Sequence, residues 1–303
     1  MEPSDETIAW LLDGDLSVEY QTRRDLLDDD VPELQARMAT EGYAAALLAA
    51  RSAGGGWGRA YYQPKWTSTH YTLLELRNLG LAPDHPVARA AVDAVLRDHL
   101  RPDGGIDPGG GWTDTCVNGM ALGFCTWFDG DPEALARMVD WLLGQSMRDG
   151  GFNCHLHRSG ATHPSHHTTV SVLEGLTTYR SRGHDHRRAE VEATMGGCAD
   201  YLLRHHLFRS HRTGEVIHPE FGRLHHPPRW HFDILRGLDA LAAAGVPSDS
   251  RMDDGLSLLL SLRRADGTWS GRSWPGQTHV PLDRADRSRC LTLTALRVLR
   301  RYG

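Results

Sequence analysis

A glycine-rich turn recurs along the chain at a nearly constant interval, and this repeat restricts the possible folds more than any other feature. Its copies are Gly55-Gly56-Trp57, Asp103-Gly104-Gly105-Ile106, Asp149-Gly150-Gly151-Phe152 and Asp266-Gly267-Thr268-Trp269, with a weaker one at Thr213-Gly214-Glu215-Val216. Trp57 and Ile106 are 49 residues apart, Ile106 and Phe152 46, and Val216 and Trp269 53. The longer gap of 64 residues from Phe152 to Val216 implies an insertion, placed in the His-rich stretch 154–167. Such a period belongs to chains that stack supersecondary units, each of which buries its apolar face only against its neighbours.

Each turn follows a helical pattern, at 43–51, 87–100, 132–145, 189–207 and 252–263, and leads through a loop into a second, more apolar helix. These second helices are predicted at 67–80, 114–128, 166–180, 230–244 and 287–301. Leu73, Leu74, Leu76 and Leu79 show their character, apolar on more than one side as in a helix buried on most faces. Asp131 followed by Pro132 reads as an N-cap with proline at the first helical position. The glycines are expected to close the first helix of each pair in the left-handed region. Segments 5–12 and 16–28 supply a sixth pair, and no strand-like alternation is sustained. The expectation is an all-α fold of five to six helix pairs in a single domain over residues 1–303. An open solenoid and a closed ring both satisfy the spacing.

Composition removes several classes of function. The 303 residues are 40% hydrophobic, ample for a buried core. With 33 Lys and Arg against 39 Asp and Glu, the net charge is −6, and no basic stripe suits nucleic acid. Apolar runs such as Tyr43–Ala50 fall far short of the roughly 20 residues that span a membrane. Acidic Glu2, Asp5 and Glu6 do not read as a signal peptide. Five dispersed cysteines, an odd number, argue for a reducing, cytoplasmic setting rather than a disulfide framework.

The segment Gln145-Ser-Met-Arg-Asp-Gly-Gly-Phe152, with degenerate copies ending at Trp57 and Trp269, resembles the repeat of the squalene-hopene cyclase and protein-prenyltransferase superfamily. Pro64-Lys-Trp-Thr-Ser-Thr-His-Tyr-Thr72 and Arg229-Trp-His-Phe-Asp-Ile-Leu-Arg236 resemble a poorly characterised bacterial branch of prenyltransferase and squalene oxidase repeat proteins. The resemblance covers about residues 40–303. It implies an (α/α) toroid with a central cavity for a hydrophobic small molecule, an isoprenoid in the characterised members. It also places the loops after the glycine turns and the first turns of the second helices at one rim. Asp114, Cys116, Cys154, His155, His157, His166, His167, His231 and His279 fall there.

Three chemistries are open at such a rim. Asp114-Thr-Cys116 is similar to the Asp-x-Cys zinc ligands of protein-prenyltransferase catalytic subunits, with Cys116 seven residues before Gly123. The corresponding third ligand, a His, falls at Thr168, seven residues before Gly175; His167 is one residue off, and His166 and Cys154 are the other candidates. Carboxylate, thiolate and imidazole suit zinc. The stretch Gly111-Trp112-Thr113-Asp114-Thr115 resembles the Asp-x-Asp-Asp-Thr motif of proton-initiated triterpene cyclases, but Thr113 replaces the proton-donating Asp. Cys116 with Cys154-His155 resembles the zinc set of lanthionine cyclases, which would direct a metal-bound thiolate to carbon. The bland alternative makes Asp114 a helix N-cap and Cys116 a buried apolar residue; the expectation is an enzyme on a hydrophobic small molecule with zinc at the rim, and a non-catalytic lipid- or peptide-binding toroid is the competing class.

Asp114, Cys116, His167 and Cys154 are accordingly the candidate metal ligands. His231 and Tyr71 are candidates for proton transfer, and Trp66, Trp112, Trp230 and Phe232 for contact with a hydrophobic substrate. Glu75, Glu174 and Arg236 are expected to pair between helices, since a buried unpaired charge is costly.

Overall fold

The computed structural model describes residues 3–284 and 286–303, and the side chains of residues 157 and 158, hence the rim candidate His157, lie outside that description. Its α-helices are α1 Asp5–Leu12, α2 Leu16–Leu26, α3 Pro32–Arg37, α4 Gly42–Ala49, α5 Thr69–Leu79, α6 Pro86–His99, α7 Thr115–Trp127, α8 Pro132–Leu143, α9 Leu156–Ser159, α10 His166–Ser181, α11 Arg188–Arg204, α12 Ile234–Ala243, α13 Asp253–Ser261 and α14 Arg289–Tyr302. Only isolated bridges, and no strand, occur among the described residues. The fold is all-α, as the repeat predicts, and each expected helix is present within a few residues of its expected ends. The short α3 and α9 had no counterpart in the periodicity. No helix among the described residues is long and apolar enough to cross a membrane.

The glycine turns differ in one respect from expectation. They do not cap the preceding helices, which end several residues earlier, at Ala49, His99, Leu143 and Ser261. Instead each glycine, with φ of +89° at Gly55, +94° at Gly104, +84° at Gly150 and +81° at Gly267, sits inside a small hydrogen-bonded turn. Its amide donates to the carbonyl three residues back, and the amide of that residue donates across the turn to the residue after the glycine. Gly104 to Arg101 and Arg101 to Gly105, at 3.0 and 2.9 Å, show the pattern, and the turns at Ser52, Met147 and Arg264 repeat it. A side chain at Gly104 would be strained by φ and would also strike the Arg137 carbonyl oxygen.

The buried residue after each turn is held by the helix that follows. The amide of Trp57 donates to Thr69 Oγ1 at 2.9 Å, Ile106 to Asn118 Oδ1 at 2.6 Å, Phe152 to Thr169 Oγ1 at 3.0 Å and Trp269 to Thr292 Oγ1 at 3.0 Å. Thr69, Asn118 and Thr169 also donate back to the carbonyl of the same residue. One polar side chain thus satisfies a main-chain group that burial removes from water. The weaker fifth turn has no such bond. Glycine (Gly237) occupies the fourth position of α12, where Asn118, Thr169 and Thr292 stand in α7, α10 and α14, and Val216 is exposed.

The chain forms two compact units, one comprising residues up to 50, Asn78–Ala82 and Leu203 onward, the other Arg51–Arg77 and Pro83–Leu202. In the first unit α14 joins α2 and α12 through Arg297. Its guanidinium meets Asp239 Oδ2 and Asp25 Oδ2, each at 2.8 Å. These three helices are thus ion-paired through one guanidinium. Arg236 itself donates to the carbonyl oxygen of His231 at 2.7 Å. In the second unit α7 and α10 meet backbone to backbone. A Cβ on Gly119 would lie 2.6 Å from the Ser171 carbonyl oxygen, and one on Gly175 would collide with the Gly119 carbonyl.

Two outcomes follow for stability. Thr169→Val keeps the volume but orphans the buried Phe152 amide, and is expected to cost about 1–3 kcal/mol in urea unfolding. Val216→Ser, at the unclamped turn, should stay within about 0.5 kcal/mol; equal effects would remove the bond's claimed role. Gly175→Ala forces α7 and α10 apart and should lower the urea midpoint by about 1–3 kcal/mol of stability, and an unchanged midpoint would show that the contact has slack.

Candidate functional site

Within the second unit, the first turns of α5, α7 and α10 carry a cluster of thiols, hydroxyls and a carboxylate. The close approach of α7 to α10 places Cys116, the second residue of α7, near Thr168, the third residue of α10. Cys154 reaches both from the loop after the third glycine turn, two residues beyond the clamped Phe152. Its Sγ accepts from the Cys116 amide at 3.0 Å and from the Thr168 hydroxyl at 3.4 Å, and its own amide donates to Thr168 Oγ1 at 3.3 Å. Position 168, where the prenyltransferase pattern has a histidine, therefore carries a hydroxyl directed at the Cys154 sulfur.

Asp114 occupies the N-cap position of α7, but its carboxylate makes no capping hydrogen bond. Asp114 is thus the N-cap residue by position, without a cap bond from its side chain. The sulfur of Cys154 instead takes an amide of this first turn, at the positive end of the helix dipole, where anions are stabilised. The consequence is a split between the two thiols. The hydrogen bond from the Cys116 thiol, aided by the Thr168 hydroxyl and the Cys116 amide, holds Cys154 below the ordinary thiol range against burial and the nearby Asp114. Donating to Cys154, being buried and lying near Asp114 push Cys116 well above it. Cys154 is the first of the pair to ionise.

Aromatic hydroxyls complete the cluster. Tyr62 and Tyr71 share a hydrogen bond at 2.7 Å. Burial raises the Tyr62 phenol, and the charges of Cys116, Asp114 and Cys154 raise it further, so Tyr62 remains protonated beside the thiol pair. Tyr71 is fully buried, with Trp66 edge-on at 4.8 Å. His70 binds the Tyr61 hydroxyl through Nδ1 at 2.8 Å, and burial lowers it to about 3, so it is neutral. Trp112 is 52% exposed in a glycine loop whose Gly109, Gly110 and Gly111 amides converge on Asp107.

Asp114, Cys116, Cys154, Tyr71 and Trp66 thus belong to one neighbourhood. Tyr62 joins it without having been singled out in the sequence; the doublet Tyr61-Tyr62 in the loop before α5 was its only trace. His167 follows His166 at the start of α10, and its carbonyl accepts from Ser171. His166 is buried against Tyr201, Nδ1 to hydroxyl 3.2 Å. As a test for zinc, no group of three His, Cys, Asp or Glu side chains among the described residues could hold a metal ion. The hydrogen bonds on Cys154 come from an amide and a hydroxyl rather than from a ligand set.

The other candidates belong to the first unit. His231 lies between two indoles, 3.4 Å from Trp274 and 3.7 Å from Trp230 between ring centres, and Trp274 stacks in turn on His225 at 4.0 Å. Phe232 is buried, edge-to-face with Phe221 at 4.9 Å and against Gly237. Asp233 caps α12 by accepting from the Arg236 amide at 2.9 Å, and burial raises its carboxyl to about 6. His226 is lowered by burial to about 4 and is neutral.

No family model matches the chain, and no curated protein matches it. Among solved structures it is similar to a polysaccharide lyase at a TM-score of 0.53 and 13% identity, covering 98% of this chain and 89% of that one. It is also similar to a protein from Actinoplanes at 0.49, with 17% identity over 94% of this chain and 89% of that one. A point variant of the type II terpene cyclase MstE from Scytonema, in complex with geranylgeranyl dihydroxybenzoate, gives 0.49 and 17% identity over 94% of this chain and 86% of its own. The likeness is one of fold, and the fold class is the expected one, all-α and built of helix pairs.

The split between the two thiols is measurable. Iodoacetamide labelling of the native chain, mapped by peptide and followed against pH, should show Cys154 reacting with a midpoint below the usual value of about 8.5. Thr168→Val and Cys116→Ala should each move that midpoint upward. A midpoint at or above the ordinary value in the unaltered chain would overturn the assignment of Cys154 as the ionised thiol.

Proposed function

We infer that the chain is an enzyme acting on a hydrophobic small molecule of isoprenoid type, with its chemistry at Cys154. One observation carries this reading: the sulfur of Cys154 is set against the N-terminal turn of α7 and the Thr168 hydroxyl, which favours a thiolate in a half-buried site. A thiolate so placed is a nucleophile toward carbon. The Tyr62–Tyr71 pair and Asp114 stand beside it as proton carriers, and Trp66 adds an apolar wall. The isoprenoid class comes from the resemblance of the glycine-turn repeat to the cyclase and prenyltransferase superfamily. Proton-initiated cyclisation is less favoured, because Thr113 stands where that chemistry needs a second carboxyl and the groups around Asp114 are thiols and phenols.

The test is incubation with prenyl diphosphates and prenylated phenols, in the presence of zinc or of a chelator, followed by mass analysis of products and of Cys154. Turnover or a Cys154 adduct that Cys154→Ser abolishes, with Asp114→Asn lowering the rate by about 10²–10⁴, is the expected result. Stoichiometric zinc that disappears in Cys116→Ala would replace this mechanism by a metal-bound thiolate. Cleavage of a polysaccharide by the same preparation would move the reading to that of the structurally similar lyase.

A further inference from the structure

The two thiols of the cluster are placed for a reaction with each other. Cys116 is fixed on α7, and Cys154 lies on the loop leading to α10, 38 residues away in sequence. The Cys154 sulfur is 3.0 Å from the Cys116 amide, which makes the two cysteines direct neighbours. Both are partly accessible, whereas Cys125 and Cys198 are fully buried and pushed upward by burial. A disulfide needs the two sulfurs at roughly 2.05 Å, and the pair joins a helix residue to a loop residue already in contact with it.

We propose that Cys116 and Cys154 are a reversible dithiol–disulfide pair, oxidised by exchange with small-molecule disulfides, with Cys154 attacking and Cys116 resolving. In the first step the Cys154 thiolate attacks one sulfur of RSSR, forming a Cys154–SR mixed disulfide and expelling RS⁻. In the second, Cys116 gives its proton to the departing thiolate while its sulfur attacks the Cys154 sulfur, forming the Cys116–Cys154 bond and releasing the second RSH. Two protein thiols are oxidised and one RSSR is reduced to two RSH, the RS⁻ of the first step taking up the proton that Cys154 gave up on ionising. The order follows from the geometry: the Cys154 sulfur accepts from the Cys116 amide and the Thr168 hydroxyl, which stabilise the attacking thiolate. The bond would withdraw Cys154 from the chemistry inferred above; that consequence alone rests on the functional reading.

The experiment uses the full chain with excess oxidised glutathione, acid quenching and non-reducing peptide mapping. The expected products are a Cys116–Cys154 cross-linked peptide in the unaltered chain, removed by dithiothreitol, and a stable glutathione adduct on Cys154 in Cys116→Ser. Cys154→Ser should slow modification at Cys116 by about tenfold or more. Accumulation of glutathione on Cys154 without the cross-link in the unaltered chain would overturn the proposal. So would modification of Cys116 ahead of Cys154. Mapping reads the bond itself, so the result stands whether or not any isoprenoid is turned over.

Discussion

The hydrogen bond that the main-chain amide after four of the glycine turns donates to a helix side chain is the constraint on which the architecture rests. The turns bury Trp57, Ile106, Phe152 and Trp269, and with them main-chain groups that water can no longer reach. Thr69, Asn118, Thr169 and Thr292 meet that need from the first turns of α5, α7, α10 and α14. Each loop is thereby fixed to the start of the helix it precedes, although the sequence separation varies from 12 to 23 residues. Loop length can vary without moving the buried residue, which is why the insertion after Phe152 is tolerated. The same bond sets the site: with Phe152 fixed to Thr169, Cys154 two residues later comes within reach of Thr168.

Helix packing supplies the second half of the placement. Gly119 and Gly175 let α7 and α10 approach until main chain meets main chain, and no larger residue allows that spacing. The first turn of α7 and the start of α10 are then close enough to bind one sulfur between them. The site is a by-product of a stability feature, and any substitution that spreads these helices should weaken the hydrogen bonds on Cys154 before it unfolds the chain.

Much of this was legible in the sequence. The helices could be read from the period of the glycine turns, and Asp131 before Pro132 does cap α8, accepting from Ala134 at 2.8 Å. The role of the glycines was misread. Their positive φ was foreseeable, but whether a left-handed glycine ends a helix or sits in a separate turn depends on the hydrogen bonds around it, which composition does not encode. The candidate site was legible as residue types on first turns. The partner of each was not. Cys154 and Cys116 are far apart in sequence, and only the contact of α7 with α10 makes them neighbours. Tyr62 had no periodic signal, because it lies in an irregular loop. His231 and Trp230 stood out in a conspicuous motif, yet the stacking of His231 on Trp274 depends on a loop more than 40 residues downstream.

Why the reactive thiol should lie at α7 follows from how the helix starts are completed. In the first unit, α12 is capped by the Asp233 carboxylate. The N-terminus of α14 is held by Ser288 and by Asp283, which accepts from the Cys290 amide at 3.0 Å. Oxygen occupies those positions, so the thiol of Cys290 rides on an amide already satisfied by a carboxylate. In the second unit neither α7 nor α10 has a side-chain cap. At α7 the carboxylate that could serve, Asp114, leaves the position to sulfur. A sulfur in that place gains most as an anion, since the thiolate accepts from amide, hydroxyl and thiol together where a neutral thiol accepts weakly. The vacancy of one ordinary N-cap bond is therefore what converts a half-buried cysteine pair into one ionisable and one protonated thiol.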